Sequence, residues 1–502
     1  MKYAISAGHE ITAATAEEIL KLGGNAVDAA IAAYLTAFVT EPCMASGGGG
    51  AFATVYQADG KSVVLDFFCQ TPKYKRPVEE IEFFPIAVDF GDMIEHFYLG
   101  KGSTAIPGSI AGIYALQEHF GTIPMKELVQ PAIDHARNGV RVNNFQALDI
   151  KLLENVFRVD EQAAAAFFKE GEVVGTGDLL KMPELADFLG YLAAEGQRAF
   201  YEGEVAQKIV KDHQAFGGHL RMEDFSGYEV AIRKPLRFGY RNHTILTNPL
   251  PSTGGATMAL QLKHVAEIAP NQNPLGTIHL RQLYESFSRV NQVPRNPHAL
   301  GLALQEAYQL PPSSNNRFTN RRGSTSHLNV VDQWGNAISL TTTIGEGSGY
   351  FAENTGIHMN NMLGEAALLP NGFHSWERDV RLSSMVTPTI VLDAKEQIAF
   401  VLGSGGASRI PSAMMQVLRN LIDYDLPLAA AVNHPRVHLE HGVFNVEQGF
   451  EHQLKTADLQ DELKAWNGKS MFYGGVHIIQ HKNGQLAALG DARRDGVAIV
   501  AS

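Results

Sequence analysis

The chain's most specific chemical feature is Thr325, which begins the strand-like run Thr325–Asp332 near its middle. A threonine hydroxyl becomes a good nucleophile when a neighbouring base takes its proton. Cutting the Ser324–Thr325 bond would supply that base, because the freed α-amine has an ordinary pKa of roughly 7.7–8.0. We therefore predict that the chain cuts itself at this bond and that Thr325 then attacks an acyl substrate.

A hairpin is predicted to hold this nucleophile. Strands at 328–331 and 337–343 flank a turn at 333–336. Because side chains alternate along a strand, Thr341 and Thr343 share one face. A lone threonine in a strand is usually structural, so the hydroxyl chemistry is predicted from the whole motif and not from one residue.

The glycine-rich segment Gly403–Arg409 is also suited to acyl chemistry. It follows a predicted strand and precedes a predicted helix. Such turns expose backbone N–H groups, which stabilise the oxyanion of a tetrahedral intermediate. The Lys-Ser/Thr ending of a phosphate-binding loop is absent, and Gly47–Gly50 lacks dinucleotide-motif spacing. Neither segment therefore predicts a nucleotide site.

The elements around these motifs predict an α+β protein. Helices are predicted at 12–22, 26–39, 412–422 and 454–464, with 104–220 mostly helical. Further strands are predicted at 51–57, 62–68, 389–392, 398–402, 476–480 and 486–489. Antiparallel hairpins with helices outside them are typical of a layered α+β architecture.

Segments 270–274 and 294–320 are predicted to be rich in loops. Pro311–Asn316 has the strongest linker composition of the chain. It lies shortly before the Ser324–Thr325 bond, where self-cleavage requires an exposed and flexible stretch.

The motifs, taken in order, resemble those of the γ-glutamyltranspeptidase family of N-terminal-nucleophile hydrolases. The resemblance spans nearly the whole chain, and its motifs are Leu22–Ala30, Gly47–Gly50, Pro107–Gly112, Pro251–Gly255, Thr325–Asp332, Ser383–Met385 and Gly403–Arg409. It implies a four-layer αββα sandwich. It also implies that a large fragment, 1–324, and a small fragment, 325–502, stay packed around one core as a heterodimer.

The resemblance assigns roles at the reacting bond. The Thr343 hydroxyl would hydrogen-bond the Thr325 hydroxyl and orient it for attack. The backbone amides of Gly406 and Ala407 would form the oxyanion hole. The implied reaction is hydrolysis or transfer of an acyl group through a threonine ester, without a cofactor.

The resemblance also assigns substrate-binding residues for a γ-glutamyl group. Ser383 and Ser384 stand where the family binds the α-carboxylate, and Glu365 stands where it binds the α-amine. Gly345 and Met362 occupy the positions of the amine-binding amides, and Glu346 is a neighbouring candidate for the amine.

One expected binding residue, an arginine that clamps the α-carboxylate, is replaced here. Phe68 occupies its position, and losing such a charge-assisted contact costs about 1.5–3 kcal/mol. Arg381, two residues before Ser383, is either a substitute clamp or an ordinary structural arginine, and the second reading is favoured.

Access to the pocket is expected to differ from that of typical members. Only a short connection links Glu365 to Ser383, so the lid loop is expected to be cut down or absent. An open pocket admits water and larger substrates, which favours hydrolysis over transfer.

Three hypotheses for function follow. Ser383, Ser384 and Glu365 favour a γ-glutamyl amide such as glutathione as the substrate. Phe68 and Met362 favour a glutaryl-, cephalosporin-type or other N-acyl amide. A non-catalytic binding protein is a distant alternative, since the Thr325 motif is intact.

Composition and the N-terminal sequence limit the classes of partner and the cell compartment that we expect for this protein. A net charge of -12 without a basic run argues against a nucleic-acid partner. The apolar stretch 29–40 is too short to span a bilayer, and no secretory signal is recognisable at residues 1–10, so we expect a cytoplasmic protein. Cys43 and Cys69 are expected to be small buried hydrophobes, and the histidines show no metal-ligand spacing.

Overall fold

The computed structural model describes residues 2–89, 94–267, 273–309, 324–366, 368–369, 372–454 and 459–501. The helices are α1 Glu10–Lys21, α2 Ala26–Thr40, α3 Ser109–Phe120, α4 Met125–Asn138, α5 Asn144–Leu152, α6 Glu154–Phe157, α7 Pro183–Glu195, α8 Arg198–Tyr201, α9 Glu204–Ala215, α10 Met222–Ser226, α11 Gly254–Ala266, α12 Thr277–Gln292, α13 Pro297–Tyr308, α14 Ile410–Ile422, α15 Leu428–Asn433 and α16 Glu451–Leu454.

The strands, in chain order, are β1 Tyr3–Ala7, β2 Gly50–Tyr56, β3 Ser62–Phe67, β4 Phe84–Asp89, β5 Ile94–Leu99, β6 Val140–Arg141, β7 Phe168–Lys169, β8 Glu172–Val173, β9 Leu179–Leu180, β10 Ala231–Arg233, β11 Leu236–Tyr240, β12 His243–Thr247, β13 Thr325–Val331, β14 Ala337–Thr343, β15 Phe351–Ala352, β16 Ile357–His358, β17 Thr389–Leu392, β18 Ile398–Gly405, β19 Val437–Glu440, β20 Val443–Val446, β21 Glu462–Ala465, β22 Gly475–Lys482, β23 Gln485–Leu489 and β24 Val497–Ala501.

Two antiparallel sheets form the centre of the molecule. The first has the strand order β10-β3-β2-β14-β13-β1-β24, and the second has the order β11-β12-β17-β18-β22-β23. Each sheet contains strands from both sides of Thr325. Cutting the chain there leaves the two fragments joined by backbone hydrogen bonds in both sheets.

The sheets pack face to face. The Ser339 hydroxyl on β14 donates to the Leu402 carbonyl on β18 at 3.0 Å, and Thr54 on β2 donates to the Pro388 carbonyl at 2.8 Å. Buried apolar side chains fill the space between them, including Val331. This interface brings β13, which carries Thr325, against β18.

Helices cover both outer faces. The alanine-rich α2 is buried over its whole length and packs on β13 and β14. Its small side chains allow α1 and α4 to approach closely. On the opposite face α11 and α14 cover the second sheet. The predicted α+β fold with four αββα layers is therefore confirmed.

The predicted element boundaries agree with the structure except in two places. The prediction that 294–320 is rich in loops was wrong for Pro297–Tyr308, which form α13. Asn296 caps this helix by accepting from the Ala299 amide at 2.9 Å, and Leu300 and Leu304 are buried. The predicted linker Pro311–Asn316 lies outside the described residues, as does most of 270–274.

The helix predicted at 454–464 was also wrong over 459–464, although Leu454 ends the short helix α16. Residues Glu462–Ala465 form β21, which pairs in parallel with β20 at the edge of a three-stranded sheet. The Trp466 amide continues the pairing by donating to the Val446 carbonyl at 2.9 Å. Pairing with a distant strand overrides the local helical pattern here.

Candidate active site

Thr325 is the first residue of β13, and it lies directly opposite Thr343 of β14. Both side chains are buried. Gly405 of β18 lets the second sheet approach, because a Cβ there would lie 2.2 Å from the Thr325 carbonyl oxygen. The hairpin on one side and this glycine on the other hold the backbone of Thr325 in place.

The Thr343 hydroxyl is directed at the bond that is predicted to be cut. Its oxygen accepts from the Gly345 amide at 2.9 Å, and its proton is donated to the Ser324 carbonyl oxygen. That carbonyl would become the oxyanion if Thr325 attacked it, so a donor at this place would lower the barrier to the predicted self-cleavage. The contact predicted between the Thr343 and Thr325 hydroxyls stays a prediction for the cleaved protein.

The glycine-rich turn lies beside the nucleophile. Pairing between β18 and β22 ends at Gly405. Gly406 then adopts a φ of +117°, which favours glycine, and begins a short 3-10 helix, Ala407–Arg409, that no side chain caps. Ala407 lines the same small cavity as Thr325. The segment predicted to supply the oxyanion-hole amides is thus within the site.

Glu346 and Glu365 form a buried pair of carboxyl groups. They are 2% and 4% exposed, and Gly345 between them has a φ of +67°, where a Cβ would lie 2.0 Å from Glu365 Oε1. Glu346 Oε1 accepts from the Ser324 amide at 3.1 Å. Burial, with the Glu365 charge, raises the pKa of Glu346 well above its usual range, and burial does the same to the pKa of Glu365.

One oxygen of each carboxyl is left without a hydrogen-bond partner among the described residues. These oxygens are Glu346 Oε2 and Glu365 Oε1. A buried polar oxygen without a donor is costly. The pair therefore offers acceptors, and negative charge when ionised, to a cationic group beside Thr325.

Of the two predicted serines, Ser384 lines the small cavity with Thr325. Its hydroxyl accepts from the Val386 amide at 3.2 Å. Ser383 instead donates its hydroxyl to the Pro251 carbonyl at 2.9 Å, which ties the segment to the Pro251–Gly255 turn. Ser384 is thus placed to contact a substrate, whereas the Ser383 hydroxyl fixes its own segment to the backbone at Pro251.

Phe68 also lines the small cavity, where it stacks on Phe52 with ring centroids 5.5 Å apart. The Arg381 side chain makes structural contacts within the protein. Its Nε lies 3.5 Å from Asp66 Oδ1, and its Nη1 donates to the Phe68 carbonyl and the Tyr228 hydroxyl. Of the two roles considered for Arg381, these contacts support the structural one.

The connection between Glu365 and Ser383 is short, and its described part packs on segment 71–75. Thr71 donates its hydroxyl to the Glu377 carbonyl at 2.7 Å and accepts from the Val380 amide at 2.9 Å. Trp376 is buried there, with Lys75 Nζ 4.6 Å from its ring centroid.

The two residues of the Ser324–Thr325 bond line different cavities, Thr325 a small one and Ser324 a large one. The small one has a volume of about 20 Å³ and a largely apolar lining that includes Phe68, Met362 and Leu368. It has room for about one water molecule, so little space exists for an acyl group in the uncleaved chain. The large one has a volume of about 370 Å³ and is lined by Ser324 and Glu346, among others.

Two charged residues next to the nucleophile were not predicted from the sequence. Glu41 accepts from the Ser326 hydroxyl and, at 3.0 Å, from the Thr12 hydroxyl, and burial raises its pKa to about 7. Arg494 Nη1 donates to the Thr325 carbonyl at 3.4 Å. Glu41 closes a long uncharged stretch just before Gly47–Gly50, which is a signal that sequence reasoning could have used; no motif surrounds Arg494.

Other reactive side chains have structural surroundings. His327 bonds Thr341 at 2.8 Å and Asn329 at 2.9 Å, and burial lowers its pKa to about 3. Cys43 and Cys69 are both buried and unpaired, as predicted. Within the described ranges, no cluster of three metal-binding side chains was found, and no helix is long and apolar enough to cross a bilayer.

Comparisons with known proteins agree with this geometry. Residues 12–501 match the family model described as Gamma-glutamyltranspeptidase. A glutathione hydrolase proenzyme from Pseudomonas aeruginosa is 30% identical over 99% of this chain and 94% of its own length. The acylase ACY 1 proenzyme from Pseudomonas sp. (strain SE83) is 27% identical over 98% of this chain and 92% of its own.

A solved structure supports the fold. The crystal structure of cephalosporin acylase from Bacillus halodurans superposes with a TM-score of 0.83 and covers 99% of this chain and 95% of its own, at 23% sequence identity. Together with the family match over nearly the whole length, the nucleophile hairpin and the glycine turn identify the chain as an enzyme of the gamma-glutamyltranspeptidase family.

Proposed function

We propose that this enzyme cuts itself between Ser324 and Thr325 and then hydrolyses γ-glutamyl amides of the glutathione type. The free α-amine of Thr325 takes the proton of its own hydroxyl as Oγ attacks the amide carbonyl. That proton passes to the leaving amine, and water then hydrolyses the ester to release the acid. The backbone amides of Gly406 and Ala407 supply the donors for the substrate oxyanion, and the Thr343 hydroxyl orients the Thr325 hydroxyl for attack.

The substrate assignment is carried by the unpartnered oxygens of Glu346 and Glu365. A γ-glutamyl group has a protonated α-amine at the far end of its three-carbon chain from the reacting carbonyl. An ammonium group donates up to three hydrogen bonds and neutralises buried carboxylate charge, so it satisfies both oxygens. Similarity to a glutathione hydrolase proenzyme supports the same assignment.

A second candidate is the hydrolysis of glutaryl-, cephalosporin-type or other N-acyl amides. It is favoured by the apolar Phe68 and Met362 at the small cavity. Arg381 is engaged with Asp66 and cannot clamp a carboxylate, which favours those N-acyl groups that have none. Similarity to an acylase proenzyme also supports it.

Three p-nitroanilides separate the two candidates. The γ-glutamyl compound has both the α-amine and the α-carboxylate, the 4-aminobutanoyl compound has only the amine, and the glutaryl compound has only the carboxylate. We expect kcat/KM to be at least about tenfold higher for 4-aminobutanoyl than for glutaryl, because only the amine has a charged partner. A preference for glutaryl would reject γ-glutamyl specificity in favour of the second candidate.

Processing and location complete the proposal. Fragments 1–324 and 325–502 are expected to remain one heterodimer, because both sheets take strands from each. Hydrolysis is expected to exceed transfer, as the short connection after Glu365 suggests. The cytoplasmic location stays a prediction, which cell fractionation with periplasmic and cytosolic marker enzymes tests.

A further inference from the structure

Ser326, the residue after the nucleophile, makes a side-chain contact between the two predicted fragments. Its hydroxyl donates to Glu41 Oε2, and Glu41 stands at the end of α2 in the large fragment. Both side chains are buried, at 7% and 3% exposed. Because side chains alternate along a strand, Ser326 faces the helices while Thr325 faces the small cavity. Glu41 therefore lies behind the strand that carries the nucleophile, on the face away from a substrate.

The first residues of β13 have a neighbouring strand on one side only, among the strands that the structure describes. β14 pairs with the whole of β13, whereas β1 pairs with 329–331. Strand ends with few partners open easily. Cutting the Ser324–Thr325 bond would turn this end into a free terminus. The position of the nucleophile would then depend on the other contacts of residues 325 and 326.

Glu41 lies beside Ser326 just past the end of β1. This strand ends at Ala7, and a Cβ on the next residue, Gly8, would lie 2.3 Å from Glu41 Oε2 and 3.2 Å from Ser326 Oγ. Any larger residue at position 8 would therefore displace the carboxyl group. The glycine lets Glu41 reach the end of β13.

The backbone and the carboxyl group of Glu41 are both fixed by hydrogen bonds. Its amide donates to the Ala37 carbonyl at 2.8 Å, and its carbonyl accepts from the Met44 and Ala45 amides at 2.9 Å each. The second carboxyl oxygen accepts from the Thr12 hydroxyl at 3.0 Å. A group held in this way can keep a strand end in one position.

A carboxyl group at this place costs stability. Burial raises the pKa of Glu41 to about 7, and the charge of Asp149 adds to this rise. Near neutral pH the group therefore destabilises the fold. Residues that lower stability are found where function requires them. The contact with Ser326, next to the nucleophile, is such a requirement.

We propose that Glu41 is a positioning residue for the hydrolysis. Through its hydrogen bond with Ser326 it holds the free end of β13 after the chain is cut, so that Thr325 stays opposite Thr343. The inference rests on the proposed function, which supplies both the cut and the nucleophile. Before the cut, the peptide bond to Ser324 also holds Thr325. Loss of the Glu41 contact should therefore slow turnover more than it slows self-cleavage.

Two variants of Ser326 test this role. Ser326→Ala removes the donor and should lower kcat for the γ-glutamyl anilide by about 10–100-fold, because a small misplacement of a reacting group is costly. KM should change by less than about twofold, since no substrate-binding group is removed. Ser326→Thr keeps a hydroxyl and should retain kcat within about threefold of the parent. Self-cleavage, followed by denaturing electrophoresis, should run near the parent rate in both.

Further variants show whether the effect passes through Glu41. Ser286→Ala is the matched control, because it removes another buried serine hydroxyl, which donates to the Gln261 carbonyl at 3.1 Å; it should leave kcat unchanged. Glu41→Met keeps an unbranched side chain of similar length and removes both acceptors, so it should lower kcat as Ser326→Ala does. The double variant should lose no more than about threefold beyond either single variant, because both remove the same contact.

The outcomes separate this inference from the proposed function. If the parent cleaves the γ-glutamyl anilide and folded, cut Ser326→Ala keeps its kcat, the inference is wrong and the proposed function stands. Equal slowing of self-cleavage and turnover, or additive losses in the double variant, would also overturn it. If the parent prefers the glutaryl anilide, the γ-glutamyl assignment is wrong, and the same selective fall in kcat on that substrate supports the inference. Should Ser326→Ala fail to fold, the kcat of folded Glu41→Met decides in the same way.

Discussion

The hydroxyl of Thr343 donates a hydrogen bond to the carbonyl oxygen of Ser324, the residue on the acyl side of the bond before the nucleophile. The two residues are 19 apart in sequence and meet because β13 and β14 pair with Thr325 opposite Thr343. The chain is thus arranged to stabilise the oxyanion of the proposed cleavage.

Replacing Thr343 should therefore slow self-cleavage. Thr343→Val keeps the shape of the side chain and removes the donor, and loss of one oxyanion donor costs on the order of 10²–10³ in rate. Thr343→Ser keeps the hydroxyl and should process near the parent rate. The fraction of chain cut is followed by denaturing electrophoresis after expression at low temperature. Equal processing of the valine and serine variants would show that this hydrogen bond does not matter.

The buried carboxyl pair should make substrate binding depend on pH. Both Glu346 and Glu365 have a pKa raised by burial, and an ammonium group favours their ionised forms, so binding it releases a proton. KM for the γ-glutamyl anilide should therefore fall as pH rises, as long as the substrate amine stays protonated. The glutaryl anilide has no ammonium group and should not show this fall.

Removing one of these carboxyls should affect the amine-bearing substrates selectively. Glu365→Gln keeps the size of the side chain and removes its charge, and should lower kcat/KM for the γ-glutamyl and 4-aminobutanoyl anilides by about 10–100-fold. Activity on the glutaryl anilide should change by less than about threefold, because no charge-assisted contact is lost there. A uniform loss on all three would indicate a structural role.

Phe68 gives a test of the missing carboxylate clamp. Phe68→Arg should raise the preference for γ-glutamyl over 4-aminobutanoyl by about tenfold, because only the first has an α-carboxylate for the new cation. It should also lower the melting temperature, since Phe68 is buried against Phe52. Phe68→Leu is the control for lost packing and should lower stability without changing the preference. No gain in preference with a folded arginine variant would reject the clamp argument.

Glu41 should make stability depend on pH. Its pKa rises from 4.5 to about 7 on folding because it is buried, so the folded chain holds a proton that the unfolded chain releases between these values. The carboxyl therefore destabilises the fold progressively as pH rises through that window, by about 3 kcal/mol at its upper end. The melting temperature of Glu41→Gln, relative to that of the parent, should therefore increase as the pH is raised from 5 to 7.5. A constant difference across that range would contradict this account.

Sequence patterns were sufficient to predict the nucleophile hairpin and the glycine turn, because each is formed by residues that are close together in the chain. Alternating side chains and turn residues determine the pairing of β13 with β14. The positive φ at position 406 favours glycine, which is the residue found there. The layered fold followed from hairpins with helices outside them, and the resemblance supplied the number of layers. These features depend on neighbours in the chain.

Contacts between distant segments of the chain could not be predicted from the sequence. Arg381 lies near Ser383 in sequence, yet its guanidinium binds Asp66 and the Phe68 carbonyl, more than 300 residues earlier. The lining of the large cavity is gathered from segments around residues 95, 145, 409 and 466–494. Long-range burial and pairing, which have no local pattern, decide these positions.

The mass of the denatured protein before and after brief exposure to substrate tests the central claim most directly. We expect two fragments, 1–324 and 325–502, and one transient acyl adduct on the second fragment that peptide mapping places at Thr325. Thr325→Ala should remain one chain of 502 residues without an adduct. An active parent that stays a single uncut chain, or an adduct on another residue, would contradict it.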